Sequence, residues 1–449
     1  MGVLVFGLGI TGLAVVQALA QRDEAVTAAD DRPSDATRAA LAELGVDLVV
    51  APDATRLADL VRTVDAVVPA PGLPDRHPVF ELARAAGVPV LSEFDLAARW
   101  DDRPLLAVTG TDGKTTVTTL VCSMLEASGL TAGAVGNTPV PLVAAIDDPT
   151  IDVFVVEASS FRLDHSQRFA PAVGTWLNFA PDHLDNHRSL LDYERAKARI
   201  WRDQSADQVA VGNADDPVVA RHLARAPGRQ VRFGTGADTG YRVVGGDLVS
   251  EDGVALCAVD ELPRAYPHDI ANGLAAAATA LNGGATVAGV RSALLTFGGL
   301  PHRVMLVDEA GGVRYVDDSK ATTPHAVLAA VGGFESVVLI CGGRNKGLDF
   351  SVLATAAPRL RSVVAIGDAA DEVVAVFAGR VDVQAAGSMD EAVRRAAGRA
   401  QPGDVVLLSP GGASFDWYGS YGERGDDFAR AVRDLLGRDR NGGHGGGGP

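Results

Sequence analysis

The chain has 449 residues, of which 47% are hydrophobic and 22% are charged, and its formal net charge is −17. This composition is typical of a globular protein, and the acidic balance argues against a nucleic-acid partner or an anionic membrane surface. The cysteines Cys122, Cys257 and Cys341 lie far apart without CxxC spacing, which predicts reduced thiols and no metal-thiolate site. No run of 18 apolar residues and no basic leader segment is found in the sequence, so we expect a cytoplasmic protein without a membrane partner.

The first predicted unit is a strand, a glycine turn and an amphipathic helix, read from VLVFGLGITGLAVVQALA. Its Gly7-Leu-Gly9-Ile-Thr-Gly12 segment matches GxGxxG, and Asp30 ends the next predicted strand, where an acid that binds a ribose would lie. Three interpretations stay open: a nucleotide-sugar pyrophosphate site, a dinucleotide site, or a turn that only packs the helix on the strand. We place the first domain boundary near residue 91.

The second glycine loop lies in AVTGTDGKTTVTTL, residues 107–120, between a predicted strand and a predicted helix. Glycines allow backbone N–H groups to approach phosphates, and the N-terminus of the helix adds partial positive charge. Lys114 would reach the terminal phosphates, and the Thr115 hydroxyl would bind Mg²⁺. The strand–GxxGK[ST]–helix pattern therefore predicts a nucleoside triphosphate site, against the alternative of an incidental turn.

The rest of the central region contains further candidates for a metal site. Glu157 ends the predicted buried strand in VVEASSF, a usual position for a metal ligand beside a phosphate loop. The segment NFAPDHLDNH follows, with Asp182, His183, Asp185 and His187 within six residues. It is either a metal-binding or catalytic rim or a solvated turn.

Glycine-rich turns after predicted strands also mark the third region, which we expect to begin near residue 298. They lie in DDSKATTPHA, CGGRNKGLDF and SPGGASFDWYGSYGERG. Open parallel sheets expose binding groups at such turns, so they indicate anion binding, with simple left-handed turns as the alternative. The last segment, 441–449, is glycine-rich and predicted to be a flexible tail.

Lysine is rare in this chain, with four lysines against 36 arginines. Both residues serve on a solvated surface, so the lysines that remain are expected where a compact or nucleophilic amine is needed. The alternative is that the four lysines remain by chance and have no special role. The four are Lys114, Lys197, Lys320 and Lys346.

In order and approximate spacing, these motifs resemble those of the Mur ligases. The matching segments are TGTDGKTT, EASSF, DHLDNH with YERAKARI, LPHRV, DDSKAT, GGRNKG and SPGGASFD. The resemblance spans essentially the whole chain, and the first and last segments are most similar to members that add D-glutamate. It implies an α/β protein of three domains: a Rossmann-like UDP-sugar-binding domain at 1–91, a central ATPase domain of the P-loop type with a mostly parallel sheet at 92–297, and a Rossmann-like amino-acid-binding domain at 298–440.

The resemblance also implies an activity. An ATP-dependent ligase of this kind would add D-glutamate to UDP-N-acetylmuramoyl-L-alanine through an acyl phosphate, in peptidoglycan precursor synthesis. ATP and two Mg²⁺ ions would be its cofactors, Lys197 would be carbamylated, and the enzyme would act as a monomer. A dehydrogenase would leave the GKTT loop unexplained, and a binding protein without chemistry would leave Glu157, His183 and Lys197 unexplained.

Individual roles follow from the same resemblance. Catalytic roles would belong to Lys114, His183, Lys197 and Lys320. ATP would be bound by Gly110, Thr111, Asp112, Gly113, Lys114, Thr115, Thr116, Asn272, Arg303 and Asp318. The UDP-sugar would be bound by Gly9, Ile10, Thr11, Asp30, Asp31, Gly72, Asn137 and His302. D-glutamate would be bound by Thr322, Lys346, Ser414 and Tyr421. The metal ligands would be Thr115, Glu157, His183 and Lys197.

Overall fold

The computed structural model describes residues 1–183, 186–236 and 239–437. The predicted tail at 441–449, Asp185 and the last three residues of the predicted third domain lie outside the described residues. The chain divides into two compact units, one with Met1–Pro263 and Ile270–Phe297, and the other with Arg264–Asp269 and the chain from Gly298 onward. The finer boundary near residue 91 stays a prediction.

A four-stranded parallel sheet begins the first unit, with strand order β3-β2-β1-β4. Strand β1 is apolar and buried throughout, as expected of a strand covered on both faces by crossover helices. The strands are β1 (Val3–Phe6), β2 (Val26–Asp30), β3 (Leu48–Val50) and β4 (Ala66–Pro69). The helices are α1 (Ile10–Ala20), α2 (Asp35–Glu43), α3 (Ala54–Arg62), α4 (Pro78–Ala86) and α5 (Glu93–Trp100).

A six-stranded parallel sheet follows in the same unit, with strand order β10-β9-β8-β5-β7-β6. Its strands are β5 (Leu105–Thr109), β6 (Ala132–Gly136), β7 (Val153–Glu157), β8 (Val173–Trp176), β9 (Val209–Asn213) and β10 (Arg229–Phe233). The helices are α6 (Lys114–Glu126), α7 (Leu142–Ala145), α8 (Ser160–His165), α9 (Leu190–Arg202), α10 (Pro217–Leu223), α11 (Pro267–Asn282) and α12 (Val287–Thr296). A small antiparallel sheet contains β11 (Arg242–Val244), β12 (Asp247–Val249) and β13 (Ala255–Ala258), and a short 3₁₀ helix follows at Val259–Glu261.

Strand β5 lies between β7 and β8, so the carboxyl ends of these three strands meet at one edge of the sheet. Ligands of open parallel sheets bind at this edge because the connecting loops are free to diverge there. One apolar cluster continues from the first sheet into the second and includes Val5, Phe94 and Phe169. Residues 1–91 therefore share a core with the central region.

The second unit contains a six-stranded sheet of order β14-β15-β19-β16-β17-β18, parallel except for β14. Its strands are β14 (Met305–Ala310), β15 (Val313–Asp317), β16 (Val337–Gly342), β17 (Leu360–Ile366), β18 (Asp382–Ala385) and β19 (Val405–Gly411). The helices are α13 (Pro324–Gly332), α14 (Ala370–Phe377), α15 (Met389–Ala397) and α16 (Tyr421–Leu435), with a 3₁₀ helix at Phe350–Arg359. Neighbouring strands β15, β19 and β16 end at the same edge, where the three glycine-rich turns lie.

The predicted α/β class with parallel sheets is confirmed. Apolar strands separated by helical segments produce parallel sheets because each crossover helix covers a face of the sheet. Within the described residues, no helix is both long and apolar enough to cross a bilayer.

Candidate active site

The GKTT loop joins β5 to the start of α6. Gly113 has a φ of +85°, and an added Cβ there would lie 2.8 Å from Oδ1 of Asn272, so both conformation and space require glycine. Gly113 is the N-cap of α6 and has no side chain that could cap the helix, which leaves the first N–H groups of α6 for an anion. The loop therefore has the local structure of a phosphate site, with Asn272 against it.

Asn178 holds this loop in shape, and the sequence analysis missed it. Its Oδ1 accepts hydrogen bonds from the backbone N–H of Thr111 (3.0 Å) and of Asp112 (2.9 Å), and its Nδ2 donates to Asp112 O (3.1 Å). The Thr111 hydroxyl also donates to Ala180 O (3.0 Å). A polar residue soon after β8, the neighbour of β5, is the signal that could have indicated this role.

Two of the four lysines meet at this loop. Lys114 Nζ donates to the carbonyls of Gly110 and Thr111, both at 2.8 Å, and Lys197 Nζ donates to Gly110 O at 2.7 Å. Lys197 is only 1% exposed, and its amine lies 4.6 Å from the centre of the Tyr193 ring. Its burial, and then the charge of Lys114, hold the pKa of Lys197 well below its usual value. A helical lysine that the sequence alone would place on the surface is therefore a buried, readily deprotonated amine.

Glu157 supplies an oxygen suited to a cation. Its Oε1 accepts a hydrogen bond from Nδ2 of Asn137 (2.8 Å), whereas the buried Oε2 has no hydrogen-bond partner in the described part of the chain. Burial, and then the charge of Asp112, raise the pKa of Asp182, while Lys114 and Lys197 lower it. A carboxylate oxygen left without a donor costs free energy that a bound cation would recover, and oxygen donors are those Mg²⁺ prefers. The residues present fit a magnesium ion.

The GxGxxG loop is tightly built. An added Cβ on Gly12 would lie 1.9 Å from Gly7 O, so α1 can pack on the loop only with glycine at that position. The Asp30 carboxylate accepts the backbone N–H groups of Leu8 (2.5 Å) and Arg32 (2.7 Å). Ile10 is 70% exposed at the start of α1. Through these two hydrogen bonds, Asp30 fixes the backbone of the glycine loop at Leu8.

The remaining predicted UDP-sugar residues lie around the same loop. Gly9 precedes α1 as its N-cap, and Gly72 has open space where a side chain would lie. Asp31 is largely exposed, and one of its carboxylate oxygens lies 3.5 Å from His77 Nε2. His302 is the exception, because it belongs to the second unit.

Arg162 ties this loop to the central sheet. It donates to Glu93 Oε1 (2.7 Å), to the Thr11 hydroxyl (2.9 Å) and to Asn137 Oδ1 (3.0 Å). Since Asn137 also donates to Glu157, one hydrogen-bonded network runs from the glycine loop to the candidate metal ligand. Arg162 lines a cleft together with Thr11. No pattern in the sequence singled out Arg162.

The second unit holds a separate group of predicted residues. His302 Nδ1 lies 2.7 Å from an Asp317 oxygen, and its backbone carbonyl accepts the Lys320 N–H (3.1 Å). The Lys320 amine lies 5.0 Å from the centre of the Tyr421 ring. The buried Arg424 donates to the backbone carbonyls of Ser319 and Gly412, joining two of the glycine-rich turns. Arg424 was missed from the sequence because its role depends on these two distant turns.

Asp318 is buried next to this group, and its Oδ2 accepts the Ser409 hydroxyl at 2.8 Å. Burial raises the pKa of Asp318 to about 7, although Ser409 and Arg303 act in the opposite direction. Within the residues that the structure describes, the buried Nε of Arg303 has no hydrogen-bond partner. The Arg303 guanidinium therefore has the unsatisfied donor expected where a polar ligand binds.

The predicted D-glutamate residues lie on the turns after three neighbouring strands. Thr322 follows β15, Lys346 follows β16, and the buried Ser414 follows β19. The Lys346 amine lies 6.0 Å from the centre of the ring of Phe415, next to Ser414. The sheet order thus places these residues at one edge, as an anion site would require.

The loop, the orphaned carboxylate and the buried lysine define a nucleotide-dependent enzyme, and the family comparisons identify its class. Residues 1–92 match the Mur ligase MurD-like N-terminal domain, 108–280 the Mur ligase middle domain, and 302–412 the Mur ligase glutamate ligase domain. The chain belongs to the Mur ligase family, which confirms the resemblance predicted from the motifs.

Among its relatives are two proteins named UDP-N-acetylmuramoylalanine--D-glutamate ligase. The one from Frankia casuarinae is 43% identical and the alignment covers 96% of this chain and 93% of the relative. The one from Desulfosudis oleivorans is 42% identical, with 96% of each chain covered.

Solved structures share the fold at lower identity. MurF ligase from Thermotoga maritima in complex with ADP has a TM-score of 0.60 at 19% identity, covering 96% of this chain and 95% of that one. UDP-N-acetylmuramate-alanine ligase MurC from the same organism has a TM-score of 0.59 at 21% identity, covering 97% and 100%.

Proposed function

We propose that this chain is an ATP-dependent ligase that joins D-glutamate to UDP-N-acetylmuramoyl-L-alanine in peptidoglycan precursor synthesis. The observation that carries the chemistry is that Lys114 and the buried Lys197 both donate to the Gly110 carbonyl after β5, while Glu157, whose Oε2 has no hydrogen-bond partner in the described residues, ends the neighbouring strand β7. The substrates are inferred from the names of relatives that align over nearly the whole chain.

The reaction needs these groups because a carboxylate is a poor electrophile. In the first step the terminal phosphoryl group of ATP is transferred to the carboxylate oxygen of the alanyl group, and ADP leaves. In the second step the amine of D-glutamate attacks the acyl carbon, phosphate leaves, and the nitrogen loses a proton to form the amide. The first step brings two anions together, so the loop N–H groups and Lys114 must offset their repulsion.

Lys197 and the acidic residues would prepare the cation site. The neutral amine of Lys197 attacks CO₂, a nitrogen–carbon bond forms, and loss of a proton leaves a carbamate anion. Two Mg²⁺ ions would then be held by Thr115, Glu157, His183 and the Lys197 carbamate. When bound, Mg²⁺ supplies charge neutralisation at the phosphates and at the acyl carboxylate.

The remaining substrate contacts are proposed as follows. Besides Lys114 and Thr115, ATP is bound by Gly110, Thr111, Asp112, Gly113, Thr116, Asn272, Arg303 and Asp318. The UDP-sugar is bound by Gly9, Ile10, Thr11, Asp30, Asp31, Gly72, Asn137 and His302. D-glutamate is bound by Thr322, Lys346, Ser414 and Tyr421, and Lys320 faces the reacting groups. We also propose that the enzyme acts as a cytoplasmic monomer, which its acidic surface and buried thiols suit.

Phosphate release with UDP-N-acetylmuramoyl-L-alanine and ATP tests the substrate assignment. Turnover is expected with D-glutamate and absent with L-glutamate or L-alanine. Release with L-alanine on the unsubstituted UDP-sugar would instead indicate a ligase that adds the preceding residue.

A variant of Lys197 tests the chemistry separately. Lys197→Ala should abolish turnover, and a short carboxylate added to the assay should restore part of it by replacing the carbamate. Arg195→Ala removes an exposed cation from the same helix and serves as the matched control, with full activity expected. A fully active Lys197→Ala enzyme would exclude the carbamate role and leave the substrate assignment to the first assay.

A further inference from the structure

Arg162 lies at the ligand-binding edge of the first sheet, although it belongs to a helix of the central region. In the order β3-β2-β1-β4 the chain leaves β1 on one side and returns with β4 on the other, and open parallel sheets bind ligands at such a switch point. The cleft at this edge is lined by Thr11 after β1, by Pro69 at the end of β4 and by Arg162 near the start of α8. Arg162 is only 6% exposed, so helix α8 contributes a buried cation to the cleft.

Three acceptors fix the guanidinium of Arg162. Its Nε donates to the buried Glu93 Oε1 at 2.7 Å. Its Nη1 donates to Asn137 Oδ1 at 3.0 Å, and its Nη2 donates to the Thr11 hydroxyl at 2.9 Å. The group is planar and its N–H groups point in fixed directions, so the pairing with Glu93 also sets where the other two hydrogen bonds go. A lysine, with one nitrogen, could not reach three separated acceptors.

The hydrogen bond to Asn137 determines which way its amide faces. Because Oδ1 accepts from Arg162, Nδ2 faces the other way and donates to Glu157 Oε1 at 2.8 Å. The reversed amide would direct N–H groups at the guanidinium and a carbonyl oxygen at the carboxylate, so both contacts favour the same orientation. Glu157 is thereby held through Oε1, and its buried Oε2, without a hydrogen-bond partner in the described part of the chain, is the oxygen that remains for a cation.

The hydrogen bond to Thr11 orients a group on the glycine loop. Thr11 is the second residue of α1, and the N-cap of this helix, Gly9, has no side chain that could cap it. A hydroxyl oxygen that accepts from Arg162 keeps its own proton for another acceptor, and an anionic ligand oxygen at a helix N-terminus is such an acceptor. One arginine therefore orients a donor at the first sheet and, through Asn137, an acceptor at the central sheet.

We propose that Arg162 is a positioning residue that orients the Thr11 hydroxyl for the sugar nucleotide and the Glu157 carboxylate for the cation, an inference that rests on the proposed function. The two sites are then prepared by one side chain and lose their geometry together when it is changed. The alternative is a structural role alone, in which Arg162 only neutralises the buried Glu93.

Direct binding measurements test this role without turnover. Arg162→Lys keeps a cation beside Glu93 but loses the hydrogen bonds to Thr11 and Asn137. Calorimetry should show an affinity for UDP-N-acetylmuramoyl-L-alanine that is lower by about 10-fold or more, the effect of losing a hydrogen bond to a charged group. Electron paramagnetic resonance of Mn²⁺, with a non-hydrolysable ATP analogue present, should show a similar loss of affinity for the cation.

Arg103→Lys is the matched control. Arg103 is a partly buried arginine of the same unit that also donates to three separate groups, the Asp101 carboxylate and the carbonyls of Ile146 and Ile151. Its replacement removes comparable hydrogen bonds from the fold, so both affinities should stay unchanged. Losses in Arg103→Lys as large as those in Arg162→Lys would show that any weakening of the fold has this effect and would overturn the proposal.

Combined variants distinguish a positioning role from a structural one. Asn137→Ala should itself lower the affinity for Mn²⁺, and Arg162→Lys in that background should lower it no further, because the path to Glu157 is already broken. In the same way, Arg162→Lys should not further weaken sugar-nucleotide binding in Thr11→Val. Residues that act through each other give such non-additive losses, and additive losses at both sites would overturn the proposal.

The outcomes also separate this role from the proposed function. Unchanged affinities in Arg162→Lys would overturn the positioning role and leave the proposed function intact. An unmodified chain that does not bind the sugar nucleotide would overturn the proposed function and the positioning role with it. If Arg162→Lys does not fold, Arg162→Gln combined with Glu93→Gln removes both buried charges together and should show the same two losses.

Discussion

Arg162 and Glu93 form a buried ion pair whose disruption should be costly. Their side chains are 6% and 1% exposed, and the two facing atoms are 2.7 Å apart. Arg162→Met leaves the Glu93 carboxylate buried without its cation. Breaking a buried pair by removing one partner costs about 3–5 kcal/mol, so the folding equilibrium should fall by a factor of about 10²–10⁴.

The cost should also depend on pH, because burial raises the pKa of Glu93 while Arg162 lowers it. A carboxyl whose native pKa is raised contributes most stability below its unfolded pKa, and that contribution is lost as pH rises through the native value. Without Arg162 the native pKa of Glu93 rises further. Arg162→Met should therefore lose more stability at pH 8 than at pH 5, where Glu93 can take up a proton.

Urea unfolding followed by tryptophan fluorescence measures the effect, since Trp100, Trp176 and Trp201 all lie in the same unit as the pair. Glu93→Gln and the double variant complete a mutant cycle. We expect the loss of unfolding free energy in the double variant to be smaller than the sum of the two single losses by about 2 kcal/mol or more, within the range for residues in contact. Additive losses, or a loss for Arg162→Met that is equal at both pH values, would refute the argument.

Three further predictions concern other parts of the molecule. Gly12→Ala should destabilise the chain by about 1–3 kcal/mol, as overpacking does, because its Cβ would collide with Gly7 O at 1.9 Å. Gly9→Ala is the matched control, since a Cβ at Gly9 would have nothing within 4 Å. Equal urea unfolding midpoints for the two variants would contradict the prediction. Burial raises the pKa of Asp318 to about 7, so the native state holds the Asp318 proton more tightly than the unfolded state, and this contribution to stability is lost as pH rises through 7. The unfolding free energy of Asp318→Asn should therefore change less with pH than that of the unmodified chain between about pH 5 and pH 8. An unchanged slope would count against the prediction. Burial raises the pKa of the thiols to about 12 for Cys122 and Cys341 and to about 11 for Cys257, so a thiol reagent should label none of the three in the native protein and all three in urea; rapid labelling of the native chain would show that a thiol is accessible.

The fold class and the glycine loops could be predicted because they depend on local properties of the chain. Alternating apolar strands and helical segments lead to parallel sheets, whose strands end at one shared edge. Gly113 could be recognised as a loop residue from the strand–GxxGK[ST]–helix pattern. The structure then gives the reason, because its backbone conformation and its close approach to Asn272 exclude a side chain. The low lysine content drew attention to Lys197 without any knowledge of its surroundings.

What only the tertiary structure decided is which distant residues surround each side chain. Asn178 orders a loop 67 positions earlier in the chain, and Arg162 contacts Thr11 across 151 positions. The burial that lowers the pKa of Lys197 comes from the packing of α9 against the central sheet, not from the sequence around it. Periodicity and motifs report the backbone and its nearest neighbours, whereas charge states and hydrogen-bond networks depend on contacts that exist only after the chain has folded.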